Sequence, residues 1–78
     1  MNKPKIIFEE KSRQITLTYH IDDREEDMLI GMNLLSIAQE KKLHFTVYED
    51  DYNTRCFILK GTNIKQLKQI SQQLEKLM

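Results

Sequence analysis

The stretch Gln14-Ile15-Thr16-Leu17-Thr18-Tyr19-His20-Ile21, followed at once by Asp22-Asp23-Arg24-Glu25-Glu26-Asp27, decides the fold. Ile15, Leu17, Tyr19 and Ile21 alternate with Gln14, Thr16, Thr18 and His20, a period of two that predicts a strand with one face on a core. The acidic run then changes the period. Asp22 or Asp23 can cap a helix with Glu25 or Glu26 as the return partner, and Glu25, Glu26 and Asp27 put negative charge at the positive end of the helix dipole. A helix is predicted from near Asp23 to Lys41 or Lys42, whose positive charges suit its carbonyl end.

Upstream, Lys5 to Glu10 (KIIFEE) reads as a strand joined to the first stretch through Lys11, Ser12 and Arg13, a connection of hairpin length. Downstream, Leu43 to Glu49 (LHFTVYE) and Thr54 to Lys60 (TRCFILK) are strands separated by the polar turn Asp50-Asp51-Tyr52-Asn53. Gly61 ends the fourth strand. Asn63 with Gln66 forms a second capping pair, and Ile64, Leu67, Ile70, Leu74, Leu77 and Met78 recur at helical spacing.

The order is therefore ββαββα. It predicts an α+β fold in a single small domain spanning residues 1–78, a four-stranded sheet with both helices packed on one face. Strands 2 and 3, joined through a helix, are expected to run parallel, with the strand order left open. The two ββα units are offset by roughly 40 residues, and Phe8-Glu9-Glu10 aligns with Tyr48-Glu49-Asp50 at that offset. Duplication is one reading of that match. The plainer one, preferred on three similar pairs, is that hairpin turns attract acidic residues after an aromatic strand position.

Composition bounds the function. With 78 residues and a single cysteine, the chain has a thin core and no intramolecular disulfide to reinforce it. Twelve basic and twelve acidic residues give no large single-sign field, which argues against a polybasic membrane anchor or a strongly electrostatic duplex binder. No apolar run approaches the roughly 20 residues of a bilayer span, and Met1 to Lys5 lacks the apolar centre of a secretory signal, so the expected location is cytoplasmic.

The helices differ in their faces. Helix 2 gathers its apolar residues into one arc, leaving Lys65, Lys68, Gln69, Gln72, Gln73 and Lys76 on the other side. Helix 1 spreads Met28, Ile30, Gly31, Met32, Leu34, Leu35, Ile37 and Ala38 over about twice the stripe a one-sided surface helix needs. Gly31 and Ala38 lie near the middle, with Met28, Met32 and Leu35 on one flank and Ile30, Leu34 and Ile37 on the other. Either the small residues let the helix settle deep onto the sheet, or one flank is covered by another protein chain. Ile30, Leu34 and Ile37 are the interface candidates.

If the helices cover Ile6, Phe8, Ile15, Leu17, Tyr19, Phe45 and Val47, the opposite sheet face carries Ile7, Thr16, Thr18, His20, His44, Thr46 and Tyr48. Strand 4 is apolar on both sides, Phe57 and Leu59 pointing one way and Cys56 and Ile58 the other, as suits a strand buried on both faces or a dimer that covers the sheet. Familiar catalytic patterns are missing. Cys56 has no neighbouring base in sequence, His20 and His44 lack ligand spacing, and the two glycines make no phosphate loop. No cofactor or metal is expected. The leading expectation is a non-catalytic protein that works by binding protein, as a homodimer or as the regulator of a larger partner. The alternative is a nucleic-acid-binding regulator using Lys65, Lys68, Gln72 and Lys76 on helix 2, or His20, His44 and Tyr48 on the open sheet face.

Overall fold

A computed structural model describes residues 4–77. The strands are β1 (Lys5–Glu9), β2 (Gln14–His20), β3 (His44–Glu49) and β4 (Thr54–Lys60); the helices are α1 (Arg24–Lys41) and α2 (Ile64–Leu77). This is the expected α+β order, with boundaries shifted by a residue at some ends; Met78, expected at the end of α2, lies outside the described residues. Both caps form: Asp23 Oδ1 accepts from the Glu25 N–H at 2.9 Å and Asn63 Oδ1 from the Gln66 N–H at 3.1 Å.

The sheet is antiparallel throughout, in the order β1-β2-β4-β3. β4 therefore lies between β2 and β3, which run parallel to each other without being neighbours. α2 lies against β1 and β2, and α1 against β3. Their shared floor is Ile15, Leu17 and Tyr19 from β2 with Phe57 and Leu59 from β4, closed from above by Ile30, Leu34, Ala38, Leu67, Ile70 and Leu74. Tyr19 and Phe45 flank Phe57, with ring centroids 6.1 and 5.6 Å away. The central position of β4 explains its apolar composition: Phe57 and Leu59 are buried beneath the helices, while Cys56 and Ile58 are half-buried on the open face.

The two ββα units are related by an internal pseudo-two-fold axis. β2 and β4 begin at 14 and 54, α1 and α2 at 24 and 64, each 40 positions apart. Leu17 and Phe57, also 40 apart, face each other at the middle of the β2–β4 ladder, where the axis passes. The ladder ends in two matching bonds. The Ile21 N–H donates to the Asn53 carbonyl at 2.8 Å, and the Gly61 N–H to the Arg13 carbonyl at 3.2 Å. Arg13 and Asn53 both carry left-handed backbone, at φ 54° and 57°. The 40-residue offset is thus a property of the backbone.

The Phe8–Tyr48 alignment does not survive at the level of side chains. Phe8 pairs with Ile15, whereas Tyr48 pairs with Cys56, so Phe8 faces the helices and Tyr48 the open side. The cause is one residue. Four residues separate the paired Glu9 and Gln14, but five separate Glu49 and Arg55, and a slip of one residue exchanges the faces of a strand. By register, β1 maps onto β3 with an offset of 41, which sets Ile6 against Val47 and Phe8 against Glu49.

Candidate protein interface

The interface candidates separate once the helices are in place. Leu34 is fully buried, 0% exposed, and Ile30 is 9% exposed; both belong to the chain's own core, with Ile37 half-buried against it. This corrects the expectation for that flank: the side of α1 bearing Ile30, Leu34 and Ile37 is the side turned toward α2 and the sheet. Ile30 and Ile37 do line a groove of about 530 Å³ between the helices, together with Pro4, Leu74 and Leu77 and the polar Glu26, Asn33 and Ser36.

The surplus apolar surface is on the other flank. Met28, Met32 and Leu35 are 58%, 60% and 43% exposed, and Leu29, one step further round, is exposed as well. Gly31 places this flank. A Cβ built on it would lie 3.5 Å from the Phe57 ring, and Phe57 pairs with Val47 on edge strand β3. With α2 on one side of α1, the Met28-Met32-Leu35 flank turns toward β3, where Val47 is 40% exposed on the same side of the sheet. That approach to Phe57 is an ordinary van der Waals distance, so close packing does not demand glycine at position 31.

The pseudo-symmetry supplies an internal comparison. The buried residues Ile30 and Leu34 of α1 have Ile70 and Leu74 of α2 as counterparts, both buried. On the outer flank, Met28, Met32 and Leu35 have Lys68, Gln72 and Glu75 as counterparts, all exposed. One backbone arrangement thus carries a solvated polar flank beside β1 and an apolar flank beside β3.

A polar cluster not anticipated from sequence lies at the start of α1. Asp27 is 8% exposed and accepts from Arg55 through both carboxylate oxygens, from Nε at 3.0 Å and Nη2 at 2.7 Å, and from the Tyr19 hydroxyl. Glu49 extends it, 3.6 Å from Arg55 and 3.2 Å from Arg24. The hydrogen bonds from Arg55 hold the Asp27 carboxyl below its usual range, against the opposing effect of burial. Burial, reinforced by the bond to Asp27, pushes the Tyr19 hydroxyl well above the usual tyrosine range. The bonds to Asp27 likewise push the Arg55 guanidinium up. By register, Asp27, Arg55 and Glu49 stand where the other unit has Leu67, Ile15 and Phe8. The sequence does carry a signal: Asp27 falls at core spacing with Ile30 and Leu34, and Arg55 alternates with Phe57 and Leu59.

The alternative nucleic-acid residues divide. Lys65, Lys68, Gln72 and Lys76 share the exposed outer side of α2. His20, His44 and Tyr48 are exposed on the open sheet face but do not converge: His20 pairs with Thr54 at one end of β4 and His44 with Lys60 at the other. His20 approaches Asp22, 3.6 Å away. The two surfaces are on opposite sides of the sheet and form no single platform. Cys56 is a free, half-buried thiol, and the Thr18 hydroxyl donates to its Sγ at 3.8 Å. Among the described residues no group of three His, Cys, Asp or Glu side chains is arranged to hold a metal ion, and no helix is long and apolar enough to cross a membrane. No family model matches the chain, and no curated protein or solved structure matches it.

Proposed function

We propose that this is a non-catalytic cytoplasmic protein that works by binding protein through the outer flank of α1 and the adjoining edge of β3. The observation that carries this reading is the contrast within the pseudo-symmetric pair. Lys68, Gln72 and Glu75 occupy the same backbone positions as Met28, Met32 and Leu35, so the fold accepts polar residues there. Exposed apolar area of that kind costs solubility and is characteristic of surfaces that another chain covers. The Tyr19-Asp27-Arg55 group supports a non-catalytic role, since its donors and acceptors are committed to one another. A free thiol without a disulfide partner suits a reducing compartment.

Grafting the α2 residues onto α1 tests the reading: Met28→Lys, Met32→Gln and Leu35→Glu in one variant. The variant should keep its helical signal and lose binding, whether to itself or to a protein retained by the wild-type chain. Unchanged association, with the fold intact, would sink the reading.

A further inference from the structure

We infer that the end of the fold where β4 runs into α2 binds single-stranded nucleic acid, with Arg13, Lys41, Lys42, Lys60 and Lys65 on its phosphates. This surface is separate from the outer flank of α1 and needs no occupant there.

The formal charge of zero conceals a separation of charge that the topology creates. α1 starts at the end of β2, beside the turn between β3 and β4, where the Ile21 N–H donates to the Asn53 carbonyl and Arg24 reaches Glu49. That end gathers the carboxylates of the α1 first turn with those of Glu49, Asp50 and Asp51. The cations collect at the other end. Lys60 pairs with Gln14 on one side and His44 on the other, and the Gly61 N–H donates to the Arg13 carbonyl at 3.2 Å. A Cβ at Gly61 would meet Leu43, the neighbour of Lys42, so the end of α1 stands beside the same glycine. Lys41 and Lys65 line one groove of about 270 Å³ between the end of α1 and the start of α2. All five cationic residues are exposed. Of the five, only Lys41 has a carboxylate within ion-pair distance among the described residues, Glu40 at 3.9 Å.

Helix stability does not account for the charge at position 65. Where α1 begins with Asp23, Glu25, Glu26 and Asp27, the pseudo-symmetric positions of α2 hold Asn63, Lys65, Gln66 and Leu67, and its first turn has no acidic residue. A helix dipole favours the acidic version. Lys65 therefore stands at the positive end of its own helix, where a cation is disfavoured, while Glu25 shows what the same backbone position holds when the helix is served.

The remainder of the groove selects the anion. Its walls carry Asn63, Gln66, Gln69 and Gln73, whose amides both donate and accept hydrogen bonds. An acidic peptide offers carboxylate oxygens, which only accept, whereas base edges present donors and acceptors together. A cleft between two helix ends admits one strand with its bases splayed inward; a duplex keeps its bases stacked and brings only its backbone there.

Fluorescence anisotropy with a labelled single-stranded oligonucleotide of mixed sequence tests the inference. About four phosphate contacts on a single strand give a slope of log affinity against log salt of about −3, so a fourfold rise in salt should weaken binding roughly fifty-fold. Lys65→Glu installs the residue of the other unit. It should weaken binding on the order of ten-fold at low salt while leaving the unfolding temperature unchanged or raised, a combination that a merely structural lysine would not give. Lys76→Glu makes the same change of net charge at the far end of α2 and should leave the affinity within about two-fold. No binding at low salt, or equal losses from Lys65→Glu and Lys76→Glu, would overturn the inference. So would binding of a duplex of the same length, or of poly-glutamate, as tight as that of the single strand.

Discussion

Removal of the Asp27 carboxylate should be among the most damaging single changes to this chain. Asp27→Ala deletes the acceptor of two Arg55 hydrogen bonds and of the Tyr19 hydroxyl, leaving a guanidinium and a phenol where water reaches poorly. Breaking a buried ion pair by removing one partner costs about 3–5 kcal/mol. The Arg55 side chain is 19% exposed and Glu49 is 3.6 Å away, so the lower part of that range applies. A domain of 78 residues has roughly 4–12 kcal/mol of stability in all, so Asp27→Ala should remove a quarter or more of it. The other unit shows how the loss can be recovered. Its counterparts to Asp27 and Arg55 are Leu67 and Ile15, both buried and apolar. The triple variant Tyr19→Phe, Asp27→Leu, Arg55→Ile should return to within about 1–2 kcal/mol of wild type, because well-packed apolar replacements remove the desolvation cost with the charges. Urea unfolding followed by circular dichroism measures both, provided the slope of the transition is unchanged. A triple variant as unstable as Asp27→Ala would show that the network stabilises the chain well beyond its desolvation cost, and the reasoning would be refuted.

The same cluster sets two pH limits. Asp27 is lowered in the fold, so its contribution is complete above the unfolded carboxylate value of about 3.9 and is lost as pH falls from there through the folded value; the wild-type advantage over Asp27→Asn should shrink across that window in acid unfolding titrations. Tyr19 is raised, so its contribution is complete below about pH 10 and is lost as pH rises beyond; Tyr19→Phe should lack that alkaline loss when unfolding is measured from pH 9 to 12. Gly31→Ala should raise stability by about 0.5–1 kcal/mol through helix propensity, since the new methyl meets Phe57 at ordinary contact distance. Gly61→Ala should lower it by about 1 kcal/mol, because its Cβ would stand 2.6 Å from Leu43 Cδ2 and force that side chain aside; thermal unfolding of the pair tests both signs. Lys42→Gly, at the left-handed cap where φ is 57°, should stabilise by about 0.5–1 kcal/mol, and Asn53→Gly by less, since asparagine tolerates that conformation better than lysine.

Much of the architecture is written locally. The alternation in Gln14–His20 and the caps at Asp23 and Asn63 are short-range signals, and they form where those residues place them. What is not local is the choice of neighbours. The hydrophobic arc of α1 shows more apolar surface than one contact needs, but which flank is spare depends on where α2 lies. That in turn depends on β4 entering between β2 and β3. Once it does, α1 is carried toward β3 and α2 toward β1, so Ile30 and Leu34 close the core and Met28, Met32 and Leu35 are left outside. The helix period alone treats the two flanks alike.

The one-residue difference between the hairpins links the fold to the proposed binding surface. Were the second hairpin as short as the first, the faces of β3 would exchange, and Phe45 and Val47 would leave the helix side of the sheet. Glu49 would lose its place beside Arg55. The added residue thus places the apolar members of β3 beside the apolar flank of α1 and lets Glu49 join the network that fixes the start of that helix. In the other unit, the shorter hairpin sets Ile6 and Phe8 beneath α2, whose outer flank is Lys68, Gln72 and Glu75. Two halves with one backbone plan therefore differ in the side chains on their outer flanks. The helix flank beside β1 is polar and solvated, while the flank beside β3 is apolar and exposed.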